Sequence, residues 1–296
     1  MKKVVLGAIM ALFFASGLAF AQEVSFGDPA NQAVKITINE NGDAHVIHVV
    51  EDSKKPQQLQ VIQDDFINLQ ILDENGGIPQ YGETGGEKTS FIIFPNDDKV
   101  IVDYDLPNAV TQVGGLWTWH YVYLASTAFY LPEKTDLIFA NTNPVNLGDH
   151  QGIRCHGCEI TLEYELEKTE TTKQAQWENK KFDVRIITQT GVTSFEFDQP
   201  NKKISFDVSE ADKYITLIIP LELLWNPYEV FLDGEKILKH EFYSDGKDIW
   251  LNIKPSKAGK VEIIGVSAVP EFPIAALLVL GVAMVFAAKF TKLNLR

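Results

Sequence analysis

From Ala33 onward apolar and polar residues alternate with a period of two. Val34, Ile36 and Ile38 are separated by Lys35, Thr37 and Asn39, which places three aliphatic side chains on one face of a strand. Asn41-Gly42-Asp43 supplies the left-handed positions of a hairpin turn, and residues 44–50 read as the return strand. Runs of the same kind follow at 59–62, 66–72, 90–94, 99–104, 116–124, 137–140 and 159–167. Turn clusters separate them, among them Asp73-Glu74-Asn75-Gly76-Gly77, Asn96-Asp97-Asp98 and Asn141-Thr142-Asn143-Pro144. Residues 168–181, rich in Thr and Lys with a single Trp177, offer little to bury and read as a linker. Beyond it, seven strands are expected at 182–187, 203–208, 214–219, 228–232, 236–242, 249–253 and 260–266, with Asp233-Gly234 and Asp245-Gly246 as hairpin turns. This spacing predicts an immunoglobulin-like sandwich, with a small barrel as the alternative.

The two ends depart from this pattern. Met1-Lys2-Lys3 precedes an apolar stretch from Val4 to Phe20, and Ala19-Phe20-Ala21 forms a small-x-small site, so residues 1–21 read as a cleaved signal peptide. At the other end Pro270-Glu271-Phe272-Pro273 leads into 15 apolar residues, Ile274 to Ala288, and then to Lys289, Lys292 and Arg296. Those 15 residues make roughly 22 Å of helix, which spans hydrocarbon if Phe272 and Phe290 sit at its boundaries and Lys289 snorkels. The expected organisation is therefore an all-β chain of two extracellular β-sandwich-like domains, 22–167 and 182–268, joined by the linker 168–181. Residues 269–296 hold the Pro270 to Pro273 segment, a single transmembrane helix and a basic cytoplasmic tail that stops transfer.

Charge sharpens this reading. Five of the 26 basic residues lie in the two end segments, leaving 21 against all 40 acidic ones, or about −19 for the exported body. An acidic excess of that size repels phosphate backbones and anionic lipid, which argues against nucleic-acid binding. It suits a soluble surface and cationic partners.

Candidate chemistry is sparse. Cys155-His156-Gly157-Cys158 holds the chain's two cysteines. A redox role needs a thiol at a helix N-terminus, whereas Ile160, Leu162, Tyr164 and Leu166 alternate with Thr161, Glu163, Glu165 and Glu167 as in a strand. In an oxidising exterior a local disulfide is the expected state, and a metal site built from His150, Cys155, His156 and Cys158 is the alternative. Trp117, Trp119, Tyr121 and Tyr123 share one strand face, opposite Thr118, His120, Val122 and Leu124. That stripe reads as sandwich core, or as a stacking platform for sugars or another surface protein. His45 and His48, three apart on a strand, face opposite ways and cannot share a metal. A blue-copper site lacks its methionine, Gly82 to Thr89 has Glu87 where a phosphate loop needs glycine, and His240-Glu241-Phe242-Tyr243-Ser244 lacks the second histidine of a zinc protease. No catalytic residue set and no cofactor is expected.

Two further stretches carry a resemblance. Residues 204–208, 216–220, Leu223-Leu224-Trp225 and 228–234 resemble a β domain found just outside the anchor of archaeal secreted surface proteins. Val269-Pro270-Glu271-Phe272-Pro273, followed by the apolar stretch and basic end, resembles the PEF-type C-terminal sorting signal of those proteins. The resemblance implies processing by an archaeosortase-like enzyme that removes the helix. It also implies a non-enzymatic cell-envelope protein with an adhesion, surface-layer or recognition role towards other envelope proteins or glycans. A surface ligand- or metal-binding module that uses the aromatic stripe or the cysteine loop is the alternative.

Overall fold

A computed structural model describes residues 27–86, 88–133, 135–148, 150–243, 246–268 and 282–284. The signal peptide, the motif Pro270 to Pro273, most of the apolar stretch, and Lys289, Lys292 and Arg296 lie outside these residues. Among the described residues no helix is long and apolar enough to cross a membrane. The body is built of strands, as the period-two pattern predicts.

The chain divides into two units. One comprises residues up to Val113 with Trp117–Asp136 and Leu147–Glu163, and the other comprises Gly114–Leu116, Leu137–Asn146 and everything from Tyr164.

In the first unit, Gln32–Ile38 pairs antiparallel with Ala44–Val50, which pairs in turn with Val100–Leu106 and that with Ile67–Asp73. Alternation sends Val34, Ile36, Ile38, Val46, Val50, Val102 and Tyr104 to the core. The far side of Gln32–Ile38 pairs parallel with the end of a long strand, Leu116–Tyr130, in the register Ser126↔Ala33 to Tyr130↔Thr37. A four-stranded sheet runs in the order Asp28–Pro29, Gln57–Gln60, Ser90–Ile93, Tyr81–Thr84, and it contributes Leu59, Phe91 and Ile93 to the buried set.

The second unit has two five-stranded antiparallel sheets. The first runs Thr169–Trp177, Lys180–Thr188, Ile215–Pro220, Asp248–Ile253, Lys239–Tyr243, and the second runs Val192–Asp198, Lys203–Val208, Gly259–Ile264, Glu229–Leu232, Glu235–Lys236. A single apolar core takes Val184, Ile186, Leu217, Ile219, Leu251 and Ile253 from one sheet and Ile204, Phe206, Val230, Leu232, Val261 and Ile263 from the other. The Asp233-Gly234 hairpin closes with both residues at positive φ, 50° and 83°, as a two-residue turn between twisted strands requires.

The linker reading of 168–181 is corrected. Thr169–Trp177 is a nine-residue strand that pairs with Lys180–Thr188 along its whole length. It lies at the sheet's edge, so it needs few apolar residues to hold it: Ala175 is buried and Trp177 packs partly against the core. Its Lys and Thr side chains suit an exposed edge. The break between units falls instead at Glu163/Tyr164, and 137–146 belongs with the C-terminal unit. Val192–Asp198, another edge strand of that unit, falls outside the predicted set, although Val192, Phe195 and Phe197 pack partly against the core.

Candidate functional site

Two residues of the aromatic stripe lie in the core. Trp119 and Tyr121 are 4% and 1% exposed, with the Tyr121 ring centroid 4.8 Å from Phe129 and its hydroxyl 2.7 Å from Thr127 Oγ1. Trp117 and Tyr123, at the stripe's two ends, are half-buried. The platform reading is therefore overturned for Trp119 and Tyr121, whose faces are covered by their own unit. Trp119→Ala should cost the N-terminal unit about 3 to 5 kcal/mol of stability, read from its denaturant midpoint.

Tyr123 leads instead to a chain of buried hydrogen bonds. Its hydroxyl donates to the Gln60 carbonyl at 2.6 Å and accepts from Gln32 Nε2 at 3.0 Å. Gln32 Oε1 lies 2.8 Å from His48 Nδ1, and His48 Nε2 lies 2.9 Å from the Tyr104 hydroxyl, which accepts the Ile62 N–H at 3.0 Å. The two ends fix every direction between them. A carbonyl accepts at one end and an amide donates at the other, so Nδ1 carries the imidazole proton and Nε2 accepts from Tyr104. His48 is thus neutral, and its burial pushes its pKa down to about 3. Desolvation also pushes the Tyr123 hydroxyl up to about 12.

Beside Tyr123 opens a groove of about 550 Å³ between Gln58 and Gln60 on one side and Val122 to Ala125 on the other, with Lys88 at its edge. Leu124 is 94% exposed there. The signal for this groove was in the sequence, since Val122 and Leu124 place two apolar side chains on the strand face opposite the aromatic stripe.

Cys155 and Cys158 form a disulfide. The metal alternative is overturned, because both sulfurs are consumed and no group of three or more His, Cys, Asp or Glu able to hold a metal occurs among the described residues. His150 is exposed, and His156 Nδ1 lies 3.2 Å from Ser126 Oγ. The motif sits inside the strand Gly152–Tyr164, which begins seven residues earlier than the predicted run 159–167. Gly157 has φ +63°, and a Cβ there would lie 2.5 Å from the Leu124 carbonyl oxygen. Only glycine fits that approach, so the bridge closes a local irregularity and contributes at most about 2 kcal/mol. Alkylation without reductant should modify no cysteine, and after reduction two.

His45 lies on the outer face, as expected from its spacing to His48. Its Nδ1 is 2.8 Å from Asp105 and its Nε2 3.5 Å from Asp103. Asp105 also accepts from Asn68 Nδ2 at 2.8 Å, and these partners hold its carboxyl below the usual value. Both ring nitrogens face carboxylates, so neither is directed at a nucleophile.

In the C-terminal unit Glu165 lines a cavity of about 10 Å³ with Leu137, Phe139, Lys168, Tyr214 and Thr216, too small for anything beyond a water. Its Oε1 is buried and finds no hydrogen-bond partner among the described residues. Burial pushes the carboxyl up to about 7 despite the attraction of Lys213 and Lys254. Lys254 itself lies 4.4 Å over the Tyr214 ring, which stacks on Phe139 at 3.5 Å.

No family model matches the chain, and no curated protein matches it. Among solved structures, an aminopeptidase N family protein from Idiomarina loihiensis is similar over 51% of this chain at 10% identity and a TM-score of 0.32. The matched region spans 32% of that protein's length, and no activity is assigned from it.

Proposed function

We propose that the chain is a non-enzymatic, membrane-anchored protein of the cell envelope, exported by its leader and held outside the membrane by its C-terminal segment. The two β units, the second of them immunoglobulin-like, serve adhesion, surface-layer attachment or recognition. The observation that carries this reading is the placement of an acidic, strand-built body between two apolar end segments that contain only basic charges up to residue 21 and beyond Pro273. The disulfide supports an oxidising compartment. By resemblance of Pro270 to Pro273, the anchor is a substrate for an archaeosortase-like enzyme.

The test is fractionation followed by N-terminal sequencing of the mature chain. It should be recovered in the membrane fraction beginning at Gln22. Recovery in the cytosol with Met1 to Ala21 attached would contradict the proposal.

A second reading, a surface module that binds a ligand, gains from the groove beside Tyr123, where Leu124 stands exposed. Leu124→Asp leaves the core untouched. If isolated envelope retains the wild-type protein but not this variant, the groove is the binding surface.

A further inference from the structure

Trp225 is 56% exposed, although burying an indole is normally strongly favourable. It belongs to a two-residue strand, Leu224–Trp225, paired antiparallel with Ser267–Ala268. Alternation sends Leu224 and Ala268 into the core, at 0% and 3% exposed, and turns Trp225 and Ser267 outward. Val266, next in line, is 53% exposed.

The segment 265–268 is fixed against this tryptophan. The Val266 N–H donates to the Trp225 carbonyl at 2.9 Å, and the Gly265 N–H donates to the Lys202 carbonyl at 2.9 Å. Lys202 Nζ donates to the Val266 carbonyl at 2.9 Å. A Cβ on Gly265 would lie 2.6 Å from the Trp225 carbonyl oxygen, so glycine is what lets the segment press so closely. Five residues, Val269 to Pro273, separate the end of the strand at Ala268 from the apolar stretch that begins at Ile274. Even fully extended they reach about 20 Å.

An anchored chain therefore holds Trp225 and Val266 within about 30 Å of the hydrocarbon boundary. Tryptophan favours the headgroup layer, where its ring meets apolar surface and its N–H meets water. We infer that Trp225, with Val266 beside it, is a membrane-interface contact that seats the C-terminal unit on the lipid surface next to its own anchor. The inference rests on the anchor reading above. Because the body is strongly acidic, the lipid it suits is zwitterionic.

The test uses the full chain reconstituted into phosphatidylcholine vesicles, as wild type and as Trp225→Phe, with bromines on the upper acyl carbons of some lipids. Both proteins should float with the vesicles. Brominated lipid should quench roughly one part in five of the wild-type emission, since Trp225 is one of five tryptophans, and that increment should vanish in Trp225→Phe. Flotation of both proteins with equal quenching, or with none, overturns the lipid contact and leaves the anchor standing. Shielding of Trp225 from aqueous acrylamide without lipid quenching assigns the surface to a second copy of the chain, and likewise overturns it. A chain that does not float overturns the anchor and this inference with it.

Discussion

Replacing His48 with leucine is expected to destabilise the N-terminal unit by about 2 to 4 kcal/mol at neutral pH, because the buried Tyr104 hydroxyl and the half-buried Gln32 Oε1 each lose their bond and the imidazole's packing is lost with them. The wild-type chain should also be acid-sensitive in a defined window. The folded imidazole has a pKa of about 3, against about 6.5 in the unfolded chain. A group with a depressed folded pKa stays neutral in the fold while the unfolded chain takes up a proton. Its contribution is intact above pH 6.5 and is lost as pH falls from there towards 3. At pH 5 the loss is about 2 kcal/mol. Urea unfolding followed by near-UV circular dichroism at pH 7.5 and pH 5 measures it. Wild type should lose its transition midpoint between those values, and His48→Leu, already low, should show little further change. Equal acid sensitivity in both proteins would place the titrating group elsewhere.

The C-terminal unit should respond in the opposite direction through Glu165. Its folded pKa is raised to about 7, against about 4.3 in the unfolded chain. The fold therefore favours the protonated carboxyl. The cost of ionising it begins as pH rises above 4.3 and is complete above 7, where it reaches about 3 to 4 kcal/mol. Glu165→Gln keeps the shape and removes the charge. It should raise the unit's stability by about that amount at pH 8 and leave it unchanged at pH 4, read from denaturant midpoints at the two values. A destabilised variant at pH 8 would mean that Lys213 and Lys254 outweigh burial.

The period-two alternation made the central strands legible in the sequence, because Val34, Ile36 and Ile38, or Ile204 and Phe206, must bury one or both faces. Edge strands were not legible. Thr169–Trp177 holds its place mainly by backbone pairing with a neighbour, so its composition carries little alternation to read. In Val192–Asp198 a register shift between Thr193 and Glu196 breaks the alternation of Val192 with Phe195 and Phe197. The strand carrying Cys155 was read too short for a similar reason: Gly157 at positive φ breaks the alternation within it.

The site was legible in the same uneven way. The opposite facings of His45 and His48 follow from strand geometry, and His48 is indeed fully buried while His45 stands among carboxylates. That His48 would meet Gln32, Tyr104 and Tyr123 could not be read, since those partners come from strands 16 to 75 residues away in the chain. Nor could the loss of the metal alternative, which turns on Cys155 and Cys158 being joined.

The central claim is one of sidedness, and protease added to intact cells that express the full chain tests it most directly. The account predicts that the acidic body is digested from outside, leaving a membrane-held fragment of a few kilodaltons that carries Lys289 to Arg296. A body that survives while the cells stay sealed, and is digested only after lysis, would contradict it.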